Sequence, residues 1–225
     1  MAEFQHPDSP ESFSRSDAIN ILAGMAEEHS RFYDRAVVRV HDPIHPIDHV
    51  IATVLKRSVA LTQAFLHLWD QGNEFAAMPL IRLQLDSVLR ISAFRLVDDS
   101  MPLTLHMAEG EESFHKFEIK DENDKRIGLR DSDLRAKLKD KYEYLDSIYE
   151  QTSGYVHLSR DHLLRVVEDW DKPDRKEDER LDFGNLDDLP QWGEVHKREA
   201  LLLFCTATRY LLNEIEIVQN SDKLR

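Results

Sequence analysis

The chain has 225 residues, 41% of them hydrophobic, which is enough for one core and argues against wholesale disorder. Lys plus Arg number 29 against 43 Asp plus Glu, and the net charge of −14 disfavours bulk-charge binding of nucleic acid while leaving room for a local basic pocket. No run approaches the roughly 18 apolar residues of a membrane span, so no membrane partner is expected. The opening MAEFQHPDSPESFSRSD has neither a basic n-region nor an apolar h-region, and the single Cys205 permits no intramolecular disulfide and no cysteine-based zinc site; together these features point to the cytoplasm.

Seven glycines fall below half the average usage of about 7%, which argues against a many-stranded β protein. Apolar spacing is helical nearly throughout. Residues 1–15 are polar, carry Pro7 and Pro10, and read as a disordered arm. Ser16-Asp17 looks like a helix start, followed on one face by Ile19, Leu22, Met25 and Ala26, to about Val38. HDPIHPIDH, residues 41–49, breaks that helix, and Pro46 suits the first turn of the next. A second helix over about 46–70 carries Val50, Val54, Leu61, Phe65 and Leu68. After Gln71-Gly72-Asn73 comes a third, over about 74–97, with Leu80, Leu83, Val88, Ile91 and Phe94. Two long helices joined by so short a break form an αα-hairpin, the expected centre of the fold.

Residues 98–128 are less regular, with a short helix near Met101–Ala108 and a charged, peripheral stretch from Glu109 to Lys125. From Asp131 the helical pattern returns through Leu134, Leu138, Tyr142, Leu145, Ile148 and Tyr149, and Gly154 is a point of bending or interruption. Residues 168–189 hold ten Asp or Glu against four Lys or Arg and read as a solvated acidic loop. The last helix covers about 191–219, with Trp192, Leu203, Ala207, Leu211 and Ile215, and Cys205 in its apolar run reads as an inert buried thiol. The expected fold is all-α: residues 16–225 as one antiparallel bundle of five to seven helices, with the C-terminal helix or the central hairpin making a homodimer.

Two constellations carry candidate chemistry. Arg82 and Asp86, four residues apart inside an otherwise apolar helix, can pair or aim at one partner; the alternative is an ion pair that only fixes packing. Tyr149, Ser153 and His157 also stand at steps of four, on one face if the helix persists through Gly154. A hydroxyl and an imidazole at that spacing can hydrogen-bond, and an imidazole suits general acid–base work; the alternative is a buried polar network with no chemistry.

The pattern Arg82-x-x-x-Asp86 on a long helix, followed later by Tyr149-x-x-x-Ser153-x-x-x-His157, resembles a bacterial helical family of unassigned activity allied to the HEPN superfamily (higher-eukaryote and prokaryote nucleotide-binding domains). The resemblance covers roughly residues 50–165, and Asp86 stands where the family more usually has Glu. It implies a bundle of antiparallel helices, often dimeric, and a nucleotide- or RNA-directed role in phage defence or a toxin system. HEPN relatives that cut RNA use R-x-x-x-x-H at a dimer cleft. Here Thr152 stands five positions before His157, and Arg35 and Arg39 stand six and two before His41. The likeness therefore supports the fold better than the nuclease activity. In a cleaving version, Arg82 supplies from another helix the cation that stabilises developing phosphate charge, and His157 acts as acid or base.

His41, His45 and His49, with Asp42 and Asp48, form a third cluster with metal-ligand residue types. Pro43 and Pro46 prevent one helix through all three, so at most His45 and His49 share a turn, with His157 or His162 as a further candidate ligand. His106 and His115 read as isolated, exposed residues. Phosphate-loop, dinucleotide, nucleophile-elbow and zincin motifs are absent, and no cofactor is assigned. Three readings remain: a HEPN-like protein with a polar pocket built from Arg82, Asp86, Tyr149, Ser153 and His157; a non-catalytic protein-interaction module in which the same residues lock the core; and a metal-binding helical bundle using the histidines.

Overall fold

The structure, a computed structural model, describes residues 13–38, 44–120, 126–157 and 193–224. The first helix, α1 (Arg15–Val37), starts slightly earlier than the Ser16-Asp17 signal suggests. Ser14 is the N-cap: its hydroxyl accepts from the Asp17 N–H, and the Asp17 carboxylate accepts from the Ser14 N–H at 2.9 Å, a reciprocal capping box. Phe13, just before the cap, is buried, so the expected arm of residues 1–15 gives way to the core by Phe13; the rest of that arm lies outside the described residues.

Helix α2 (Pro46–Asp70) carries Pro46 in its first turn, where a missing N–H costs nothing, and His45 at the N-cap. It ends in a Schellman turn: the Gly72 N–H donates to the Trp69 carbonyl and the Asn73 N–H to the Leu68 carbonyl. Gly72 has φ +71°, a conformation that disfavours any residue with a Cβ. Asn73 then caps α3 (Glu74–Ala93), its side chain accepting from the Ala76 N–H at 3.1 Å. One three-residue segment thus ends one helix and starts the next, and the expected hairpin follows from it.

Helix α3 is the central element. It is buried along most of its length and packs on α2, on α6 (Asp131–Leu138), on α7 (Leu145–Val156) and on the last helix, α8 (Glu194–Gln219). Helix α1 covers α2 and α8. Between α3 and α6 lie a 3-10 turn (Phe94–Leu96), the short helices α4 (Ser100–Glu109) and α5 (Glu111–Lys116), and a two-residue antiparallel pairing of Ile119–Lys120 with Arg126–Ile127.

Eight α-helices among the described residues replace the expected five to seven. One reason lies at 109–125, where the charge-rich stretch holds a helix of its own whose Phe114 is buried. The other lies after Leu138, where the expected continuous helix breaks before Leu145. There the Tyr142 ring stacks on Tyr210 at 4.2 Å, and its hydroxyl donates to the buried Glu214 carboxylate at 2.7 Å. Lys141 and Arg95 reach the same carboxylate, at 2.6 and 3.2 Å. Docking the connector on α8 in this way takes the place of another helical turn.

The apolar side of α8 is spent inside the chain: Leu201, Phe204, Leu211 and Ile215 are fully buried, and Phe204 stacks on Phe65 of α2 at 4.3 Å. No helix among the described residues is long and apolar enough to cross a membrane. The acidic segment at 168–189, Trp170 and Trp192 lie outside the described residues.

Candidate functional site: an arginine-lined cavity beside the central helix

A cavity of about 680 Å³ opens beside α3. Arg82, Leu83, Asp86 and Arg90 line it from α3; Tyr149, Ser153, Val156 and His157 from the end of α7; and Arg57 from α2. Asp131, at the start of α6, and Met107, Gly110 and Phe114, from α4 and α5, complete the wall. All five residues of the two sequence constellations therefore face one cavity. Leu83 turns its side chain toward this space and is more than a third exposed, instead of joining the core stripe.

The contacts within the cavity differ from the expected ones. Arg82 does not pair with Asp86. Its Nη2 lies 2.6 Å from Asp131 Oδ2 and donates to the Tyr149 hydroxyl at 2.7 Å, and that hydroxyl donates to Asp131 Oδ2 at 3.0 Å. The three groups close a ring. The Arg82 guanidinium also lies 3.8 Å from the Tyr149 ring centroid, with Arg135 at 4.0 Å. Asp86 instead takes Arg57 Nη1 on Oδ2 at 3.0 Å and Arg90 Nη2 on Oδ1 at 3.2 Å. Arg90 bridges onward to Asp131 Oδ1 at 2.9 Å. The result is a continuous array in which carboxylates alternate with guanidiniums, from Arg57 through Asp86, Arg90 and Asp131 to Arg82.

Burial opposes ionisation of Asp131. The Arg90 and Arg82 charges, with hydrogen bonds from Tyr149 and Arg82, outweigh it and hold the carboxyl below its ordinary value. The Tyr149 phenol is pushed upward, chiefly by burial; Arg82 opposes the shift and Asp131 adds to it. The phenol therefore stays protonated, and donates to Asp131, across the physiological range.

Helix α7 runs through Gly154 but ends at Val156. His157 is the first residue beyond it, in extended backbone (φ −115°, ψ 148°), and is exposed at the cavity's edge. The Ser153 hydroxyl donates to the Tyr149 carbonyl at 2.6 Å, the turn-back bond usual for serine inside a helix, so the expected serine–imidazole hydrogen bond does not form.

Arg57, Arg90 and Asp131 complete the site and were not singled out from the sequence. The Arg90 signal was present, since Arg82, Asp86 and Arg90 repeat at steps of four on one helix face. Arg57 and Asp131 come from distant segments and carry no local signal. His115 is not isolated: its Nε2 lies 3.3 Å from Arg90 Nη2. Guanidinium nitrogens only donate, so in this contact His115 Nε2 is the acceptor. His106 lies 2.8 Å from the Ser113 hydroxyl through Nδ1.

Among the described residues, no three His, Cys, Asp or Glu groups are placed to hold a metal ion. His45 caps α2 and His49 is exposed on its first turn, while His41, Asp42 and His162 lie outside the described residues. No family model, no curated protein and no solved structure matches the chain.

Proposed function

We propose that this cavity binds a phosphate-bearing ligand, a nucleotide or an RNA, in a HEPN-like helical protein. The observation that carries the reading is the convergence of three guanidiniums, Arg57, Arg82 and Arg90, on one cavity in a chain of net charge −14. Among the described lining residues two carboxylates, Asp86 and Asp131, face them, so that described lining keeps one positive charge in excess. The planar fork of arginine suits phosphate oxygens, and the cavity volume falls within the roughly 300–1,000 Å³ of small-molecule sites. His157, exposed at the edge, supplies a group able to donate or accept a proton. The setting implied by the resemblance, phage defence or a toxin system, and the homodimer belong to the same proposal.

The test is titration with adenosine monophosphate at two salt concentrations, together with incubation on single-stranded RNA. Binding that weakens with salt is the expected result. A cleaving enzyme would lose about 100-fold or more in rate on His157→Ala. Unchanged RNA cleavage in that variant removes His157 from the chemistry, and absence of binding removes the nucleotide reading.

A second reading, a protein-interaction module whose polar residues only lock the helices, is favoured by one observation: each of the three arginines already touches a carboxylate. On that reading Arg82→Met lowers the unfolding temperature and the protein binds neither probe.

A further inference from the structure

The three arginines are not equivalent. Arg90 and Arg82 are 9% and 13% exposed, and they share Asp131 between them. Arg82 is further held against Tyr149, and Arg90 lies over Phe114 with its Cζ 4.8 Å from the centroid. Moving either would break the array that joins α3 to α6 and α7. Arg57 differs in each respect. Its side chain is 37% exposed, it comes from the neighbouring helix, and its contact is with Asp86 Oδ2 at 3.0 Å. Asp86 would not be abandoned if Arg57 left, because Arg90 remains on its other oxygen at 3.2 Å.

The backbone beneath Arg57 is anchored. Ser58, the next residue, is fully buried; its hydroxyl accepts from Gln84 Nε2 at 2.6 Å and lies 2.9 Å from His29 Nε2. The Arg57 side chain can therefore swing while α2 stays in place, which is the arrangement that lets one group move within a preorganised site.

We infer that Arg57 is the cation that engages the ligand's negative charge, leaving Asp86 as the ligand enters, while Arg82, Arg90 and Asp131 form the fixed wall. This rests on the phosphate-ligand reading above and names the group in that site that exchanges partners. Asp86 is then an internal competitor of the ligand. An ion pair whose side chains are 37% and 24% exposed is screened by solvent and contributes little, so the exchange is within reach of a phosphate oxygen.

The experiment is a calorimetric titration of adenosine monophosphate into the full chain and four variants, with the unfolding temperature of each measured in parallel. Arg57→Gln is expected to weaken binding roughly 10- to 100-fold with little change in unfolding temperature. Arg57→Lys, which keeps the charge and loses the fork, is expected to fall in between. Asp86→Asn is expected to tighten binding roughly two- to fivefold, and that gain should vanish when Arg57→Gln is added. If the unmodified chain binds no adenosine monophosphate, the phosphate-ligand reading itself fails. If it binds and Arg57→Gln binds equally well, or Asp86→Asn binds more weakly, the ligand reading stands and the exchange at Arg57 is overturned.

Discussion

Arg82 Nη2 and Asp131 Oδ2 stand 2.6 Å apart although 49 residues separate them in the chain, and the Tyr149 hydroxyl bonds to both. Helices α3, α6 and α7 meet at this triad, so it is both a wall of the cavity and a clamp on the fold.

Breaking the triad should therefore cost stability. Arg82→Met leaves Asp131 partly buried with one cation fewer, and about 3 kcal/mol of unfolding free energy should be lost; this is the low end for a broken buried pair, because both side chains keep some solvent. A double-mutant cycle with Asp131→Asn, followed by chemical denaturation, should give a coupling of about 1–3 kcal/mol. Additivity of the two variants would show that the contact contributes nothing to the clamp. The acid limb offers a second check. Because the folded carboxyl lies below 3.8, its stabilisation is complete above that pH and is lost as pH falls through the lower folded value. Asp131→Asn should flatten that limb.

A buried polar chain crosses the core and sets a different pH response. His29 Nδ1 lies 2.7 Å from the Met25 carbonyl, which can only accept, so Nδ1 carries the proton and Nε2 accepts from the Ser58 hydroxyl. Ser58 accepts in turn from Gln84, which also reaches Thr208 of α8 at 3.1 Å. Burial lowers the His29 value below 6.5; the Met25 bond and Glu28 oppose that shift and Arg209 adds to it. The unfolded chain thus binds the proton more readily, and stability should decline as pH falls from 6.5 toward the lower folded value. Unfolding temperatures measured from pH 8 to pH 5 should show this decline, and His29→Gln should flatten it. An equal slope in both proteins would contradict the assignment.

Glu214 is fully buried, with Tyr142, Lys141 and Arg95 around it. Tyr142→Phe removes a hydrogen bond to a carboxylate and keeps the ring on Tyr210, so a loss of about 1.5–3 kcal/mol is expected in urea denaturation. A smaller loss would mean that the two cations alone satisfy the carboxylate.

Burial pushes the Cys205 thiol up to about 12. Few thiolates then exist at neutral pH, and the sulfur is enclosed. An aromatic disulfide reagent should label the native protein negligibly and the urea-unfolded protein fully; fast native labelling would show that α8 opens locally.

The helical class was legible because apolar spacing near the helical period is a local property that survives any packing. So were the limits of α2 and the turn that follows it: Pro46, Gly72 and Asn73 act within a few residues of themselves. Arg82, Asp86, Tyr149, Ser153 and His157 were legible as polar residues on helical steps, and they line one cavity. Their bonding was not legible. Spacing of four suggested Arg82 with Asp86 and Ser153 with His157, whereas Arg82 turned to Asp131 and Ser153 to the Tyr149 carbonyl. Local spacing says which side chains can meet along one helix, but the choice among partners depends on which other helix brings a closer charge.

From its sequence alone, this chain is committed to helices, to an α2–α3 hairpin and to a polar seam on α3, because each of these rests on neighbours a few residues apart. The tertiary structure decided that Asp131 and Arg57 join that seam, that Tyr142 interrupts a helix to reach Glu214, and that His29 sits neutral in the core. Those outcomes depend on desolvation and on charges brought together from distant segments, which no local pattern encodes.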